Sequence, residues 1–193
     1  MRDGAAEAWG VDVEPQGLSV ATELWRDEPR VHFVLADAHD LPFGGEQFDI
    51  VVSRLALQHM RQSLAFKELA RVMRGGGYLY ILFHRIWYYL HYLLGMFTAR
   101  PRVVTNRTRL ILRTIFDKSR PEVFLTSMRL RKLARMNGLR SLGFWFPNSV
   151  HMYGQGIFVK DHDRRHRRSS TELRAGLGGL VAILCSVLPG GGT

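Results

Sequence analysis

The chain has 193 residues, 46% of them hydrophobic and 23% charged, which is ordinary for one globular domain with a full core. A single cysteine, Cys185, excludes an internal disulfide and a multi-cysteine zinc site, and it fits a reducing, cytoplasmic setting. The net charge of +10 is uneven: residues 1–76 carry a net −4 and residues 77–193 a net +14, so any anionic partner is expected at the back half.

The start, MRDGAAEAWG, has no apolar h-region, so no secretory signal is expected. Ala5 to Val13 reads as a strand ending in acid. Glu14-Pro15 then opens a helix to Arg26, because proline suits a first helical turn and glutamate the positive end of the helix dipole. Val31 to Ala36 and Phe48 to Ser53 are short apolar runs, each followed by polar residues and a helix-like pattern. That is the signature of parallel strands buried on both faces. Such sheets bind ligands at the carboxyl ends of their strands. Asp37, Ala38, His39 and Asp40 sit at one such end; Ser53, Arg54 and Gln58 to Met60 follow another.

Arg61 to Met73 has helical spacing, with Ala65, Leu69, Val72 and Met73 on one stripe. Lys67, Glu68 and Arg71 are expected to face water, and Gly75-Gly76-Gly77 to stop the helix. Tyr78 to Phe83 is the next strand, with His84 at its carboxyl end. Ile86 to Phe97 is apolar all round, a pattern that wants burial, a lipid interface or an apolar substrate. Because Tyr78 to Phe83 is a sheet strand, what remains of this apolar window is too short to span a bilayer. An arginine-rich stretch, 99–121, follows. Thr126 caps a helix to Met136, stopped at Asn137-Gly138; Leu139 to Phe146 and Tyr153 to Lys160 then read as a closing hairpin. Residues 161–170 form a charged linker. No aromatic platform or nucleic-acid module accompanies its arginines, so nucleic acid is not an expected partner.

ADAHDLPF, a short glycine and acidic spacer, FDIVVS and a following Gln-His stand in that order along the chain. GVDVEPQGLSVA lies upstream of them and KELARVMRGGGYLYI downstream. This arrangement resembles a class I S-adenosylmethionine-dependent methyltransferase of the type 11 group, roughly over Ala6 to Phe83 and weakly over Thr126 to Lys160. The resemblance implies an α/β, Rossmann-like, mostly parallel sheet with an antiparallel C-terminal hairpin, and S-adenosyl-L-methionine as cofactor. It places Asp12 on the ribose hydroxyls, Asp37 on the adenine amino group and the Ala38 backbone on the adenine ring, with Ser53 near the cofactor. It places His59 and His84 on the acceptor side as base candidates. Residues 85–121 become a substrate cap carrying Trp87, Tyr88 and His91. The acceptor it implies is small or amphiphilic, and the aromatic cap leaves room for membrane-surface contact. Each residue keeps a plainer reading: Asp12 a helix cap, Asp37 a loop acid, His59 a solvated histidine, His84 a structural one. A non-catalytic remnant of the fold and a membrane-surface or anion-binding protein remain the alternatives.

The resembling family begins with a strand and a glycine-rich turn, and neither precedes Ala5 here. The sheet is therefore expected to lack its first, central strand, with 1–160 as the domain and 161–193 as linker and tail. Leu177 to Leu188 runs into Pro189-Gly190-Gly191-Gly192 and is strand-like, which admits a permuted arrangement. The favoured expectation is a helical or poorly ordered tail.

Overall fold

The computed structural model describes residues 5–85, 125–146, 153–161 and the backbone of 177–184. The apolar run Ile86 to Phe97, the arginine-rich stretch and the expected cap residues Trp87, Tyr88 and His91 lie outside these residues. Among the described residues no helix is long and apolar enough to cross a membrane.

The elements run β1 (Ala5–Asp12), α1 (Pro15–Leu24), β2 (Val31–Leu35), β3 (Phe48–Arg54), α2 (Gln62–Val72), β4 (Met73–His84), α3 (Ser127–Met136), β5 (Leu139–Trp145), β6 (Tyr153–Lys160) and β7 (Leu177–Leu184). A single 3-10 turn lies at Leu57–His59. All seven strands form one sheet in the order β2-β1-β7-β3-β4-β6-β5. The first five in that order are parallel, whereas β6 runs antiparallel to β4 and to β5. The α/β reading, the parallel runs and the closing hairpin match the sequence expectation.

The centre of the sheet does not. β7 lies between β1 and β3, parallel to both, pairing Leu180 with Ala8 on one side and with Ile50 on the other. The open position expected in the middle of the sheet is filled from the C-terminal side, not left empty with a helical tail beyond it. The physical reason is direct. Parallel β1 and β3 would each present a row of unpaired amide and carbonyl groups in the interior, and an apolar eight-residue run satisfies both rows at once. The connection is also easy. β6 and β7 lie three strand spacings apart, about 14 Å, and the sixteen residues between them in sequence are enough to span that distance.

The core lies on the face that α2 and α3 cover. Phe66, Leu69 and Val72 of α2 are buried with Val51, Leu79 and Ile81 of the sheet. Phe158 on β6 meets the rings of Phe66 and Phe144 edge to face, at 6.1 and 5.7 Å. Thr126 caps α3 by accepting from the Arg129 amide, and Gly138 at φ 71° ends it, as its sequence suggests.

The end of α2 differs from expectation. The helix stops at Val72 and β4 begins at once, with the glycines inside the strand. The Glu46 and Gln47 amides donate to the Arg71 and Val72 carbonyls, so the helix end is already satisfied without a glycine cap. The three glycines instead form an irregularity. Phe48 pairs with Met73, but Ile50 pairs with Tyr78. Gly76 has φ 82°, and a Cβ on Gly77 would stand 2.9 Å from the Asp49 carbonyl oxygen, so backbone freedom and close approach both matter here.

Candidate functional site

The carboxyl ends of β1, β7 and β3 come level. Val11 and Ser53 both pair with Ile183, and Arg54 pairs with Leu184. The strand order reverses direction here, since the chain builds outward through β1 and β2 on one side and through β3 and β4 on the other. Open parallel sheets form their ligand crevices at such a point.

Asp12 closes β1 and is only 5% exposed. Its Oδ1 accepts from the Glu14 amide at 3.1 Å, and its carbonyl accepts from the Ala36 amide at 3.0 Å, tying it to the end of β2. The N-cap of α1 is Glu14, whose own carboxylate accepts from Gln16 N. Helix capping therefore does not explain Asp12. Asp37 follows β2 on the same edge with its carboxylate exposed. It accepts from the backbone amide of His39, which holds its pKa below the ordinary carboxylate value, and it contacts the His39 ring nitrogen Nδ1. His39 Nε2 in turn accepts from the Arg61 amide at 3.0 Å, so Nδ1 carries the proton and donates to Asp37. Ala38 and Ser53 are buried at 3% and 2%.

The loop after Asp37 is held by a pair that the sequence pattern assigned to solvent. Arg71 donates to the Phe43 carbonyl at 2.8 Å, to the Leu41 carbonyl at 3.0 Å and to Glu68 at 2.7 Å. Glu68 also accepts from the Leu41 amide at 3.1 Å. The Arg71 guanidinium draws the Glu68 carboxyl below its ordinary pKa, and Glu68 raises that of Arg71. These two residues are a clamp on Leu41–Phe43, not a water-facing pair.

On the other side of the crevice, Leu55 adopts φ 53°, a left-handed conformation that turns the chain out of β3 into Leu57–His59. The turn brings Gln58, 6% exposed, against the end of β4. Gln58 Oε1 accepts from the His84 amide at 3.2 Å, and Gln58 Nε2 lies 2.7 Å from His84 Nδ1 and 3.4 Å from His59 Nε2. The ring of Tyr153 on β6 stands 5.3 Å from that of His84. Burial, and then the neighbouring His59 ring, push the His84 pKa down to about 4. The sheet thus brings Asp12, Asp37, Ala38 and Ser53 to one edge, and His59 and His84 to the adjacent end of β3 and β4.

Sequence reasoning missed Gln58 as a structural partner and missed the Glu68–Arg71 clamp. A buried glutamine beside two histidines leaves no periodic trace. An i,i+3 Glu–Arg pair reads as solvated surface whether or not a loop lies over it. A surface hollow walled by Trp9, Trp25, His32 and Phe33 contains none of these residues.

Residues 1–81 match the family model described as a methyltransferase domain. A malonyl-[acyl-carrier protein] O-methyltransferase of Marinomonas is 42% identical over 69 residues, covering 35% of this chain and 26% of that protein. A ubiquinone/menaquinone biosynthesis C-methyltransferase of Chromobacterium violaceum is 37% identical over 84 residues, covering 42% and 34%. The matches therefore span about a third of the length of these curated relatives. Among solved structures, a SAM-dependent methyltransferase from Methanosarcina mazei superposes with a TM-score of 0.54 at 19% identity, covering 82% of this chain and 84% of that one. The [4+2]-cyclase SpnF superposes at 0.59 and 14% identity, covering 84% and 77%. At these identities the likeness is one of fold, and the cyclase shows that the fold alone does not dictate the reaction.

Proposed function

We propose that the chain binds S-adenosyl-L-methionine and transfers its methyl group to a small or amphiphilic acceptor, a reading supported by the match of residues 1–81 to the methyltransferase-domain model and by the class I methyltransferase fold of the sheet. The observation that carries the reading is Asp12, a buried carboxylate at the end of β1 whose placement helix capping does not explain. A carboxylate accepts from two vicinal hydroxyls at once, and an ionised acceptor makes the stronger bond.

The donor set fits the cofactor. Asp12 suits the ribose. Asp37, exposed and held ionised by its turn, offers a carboxylate to an exocyclic amino group, and the backbone at Ala38 lies beside it. Leu41–Phe43, clamped by Arg71, supplies an apolar wall next to Asp37. Ser53 borders the same edge. The bound cofactor supplies an activated methyl group on a sulfonium centre. What the protein adds is positioning and exclusion of water, because an in-line methyl displacement needs no strong base. A histidine with a pKa near 4 is compatible with such a reaction.

Calorimetric titration of the full chain with S-adenosylhomocysteine tests the reading. Micromolar binding is expected, weakened at least tenfold in Asp12→Ala and in Asp37→Ala, since loss of a charge-assisted hydrogen bond costs about 1.5–3 kcal/mol. A well-folded chain that binds nothing, or binds equally well without Asp12, overturns it.

A further inference from the structure

Gln58 and His84 make a reciprocal pair whose geometry fixes a proton. The His84 backbone N–H can only donate, so the Gln58 side-chain oxygen must face it, and it lies 3.2 Å away. With the oxygen so placed, the Gln58 NH2 group faces the His84 ring and lies 2.7 Å from Nδ1. An NH2 group can only donate, so Nδ1 is the unprotonated nitrogen and Nε2 carries the hydrogen. The second Gln58 hydrogen lies toward His59 Nε2 at 3.4 Å. The amide is itself held: it is 6% exposed, on a turn whose entry is the left-handed Leu55.

We infer that Gln58 is a positioning residue that locks His84 in its neutral Nε2–H tautomer, so that Nδ1 is occupied by the Gln58 amide and His84 does not act as a general base. The bearing of this on the acceptor side rests on the methyltransferase reading; the tautomer does not. Protonation of His84 would set an N–H at Nδ1 against the Gln58 NH2 group, donor against donor, and that opposition keeps the ring neutral. Among the described residues, the titratable side chains set against the ring are His59 from the 3-10 turn and Tyr153 from β6, and neither is a carboxylate that would favour an imidazolium.

Long-range proton–nitrogen NMR spectra of the full chain, with histidine labelled by nitrogen-15 and His84→Gln used for assignment, test this directly. Pyridine-like and pyrrole-like ring nitrogens resonate far apart. The wild type is expected to show a pyridine-like Nδ1 and a pyrrole-like Nε2 for His84, unchanged from neutral pH down to about pH 5.5, below the ordinary histidine midpoint. In Gln58→Glu the new carboxylate accepts from both the backbone amide and Nδ1. The Nδ1 signal should become pyrrole-like and the titration midpoint should rise toward or above neutrality. A wild-type spectrum with the proton on Nδ1, an ordinary midpoint for His84, or no change in Gln58→Glu would each overturn the inference. If the spectra are as expected but S-adenosylhomocysteine does not bind, the tautomer lock stands and the methyltransferase reading falls.

Discussion

Replacing Arg71 with methionine isolates the clamp on Leu41–Phe43. Methionine keeps the unbranched stem of the side chain, so apolar cover is largely retained while the guanidinium is lost. Three sets of bonds go: those to the Phe43 and Leu41 carbonyls, and the pair with Glu68. Glu68 is left 14% exposed with the Leu41 amide as its remaining partner among those described above. A hydrogen bond to a charged group contributes about 1.5–3 kcal/mol, but the arginine is about one-third exposed and water replaces part of what is removed. A loss of about 2 kcal/mol follows, or about 4–8 °C in Tm for a chain of this size. Urea unfolding of the two proteins, with the slope held common, measures it. The local signature is as important: hydrogen exchange at Leu41 and Phe43 should accelerate, while that at Leu79 in β4 should follow global stability. A change below about 0.5 kcal/mol, the range of ordinary surface substitutions, would refute the clamp.

Three further outcomes are expected. The Glu68 pKa is lowered by folding, so its contribution is fully present above the unfolded carboxyl value and is lost as pH falls through the folded value; the Arg71→Met difference should therefore shrink in acid, as pH falls below the ordinary carboxyl value. A difference that stays constant from neutral pH into that range would contradict the assignment. Phe158→Ala removes a fully buried ring that packs on Phe66 and Phe144, and should cost about 3–5 kcal/mol by chemical denaturation, whereas a loss under about 1 kcal/mol would mean the ring is not in the core. Ala182→Pro places a residue without an amide hydrogen in the middle of β7, which has partners on both sides, and should cost about 3 kcal/mol or more. A loss under about 1 kcal/mol would argue against the central placement of β7.

The fold was largely legible where local pattern and tertiary role coincide. The run at Phe48 is apolar because β3 lies inside the sheet, so its sequence states its position, whereas the run at Val31 forms the edge strand β2, with Leu35 exposed, and is not buried on both faces as its pattern suggested. Thr126 and Gly138 announce α3 because caps are local chemistry. The positions of Asp12 and Asp37 were legible for a related reason: a strand ends where its apolar run ends, and both stand at such ends. What was not legible depended on partners distant in sequence. Glu68 and Arg71 look solvated until the loop 27 residues earlier is laid over them. Gly75–Gly77 look like a helix stop until the amides of Glu46 and Gln47 are found to close the helix first. Leu177–Leu184 shows an apolar run but cannot show that β1 and β3 leave a slot of the right length between them.

That slot has a consequence for how the chain folds. Among the described strands, β1 is bonded to β2 and β7 and β3 to β4 and β7. Without β7 the molecule is two half-sheets with no shared ladder, one carrying Asp12 and Asp37, the other Ser53, Gln58 and His84. The seam between them closes through pairings as remote as Ala5 with Leu177. Such contacts form late, because loop closure over so many residues must precede any reward from pairing. During synthesis both halves emerge from the ribosome before the strand that joins them. Each then holds an open parallel edge, able to pair with the wrong chain. The two walls of the crevice become one site only when that last strand arrives.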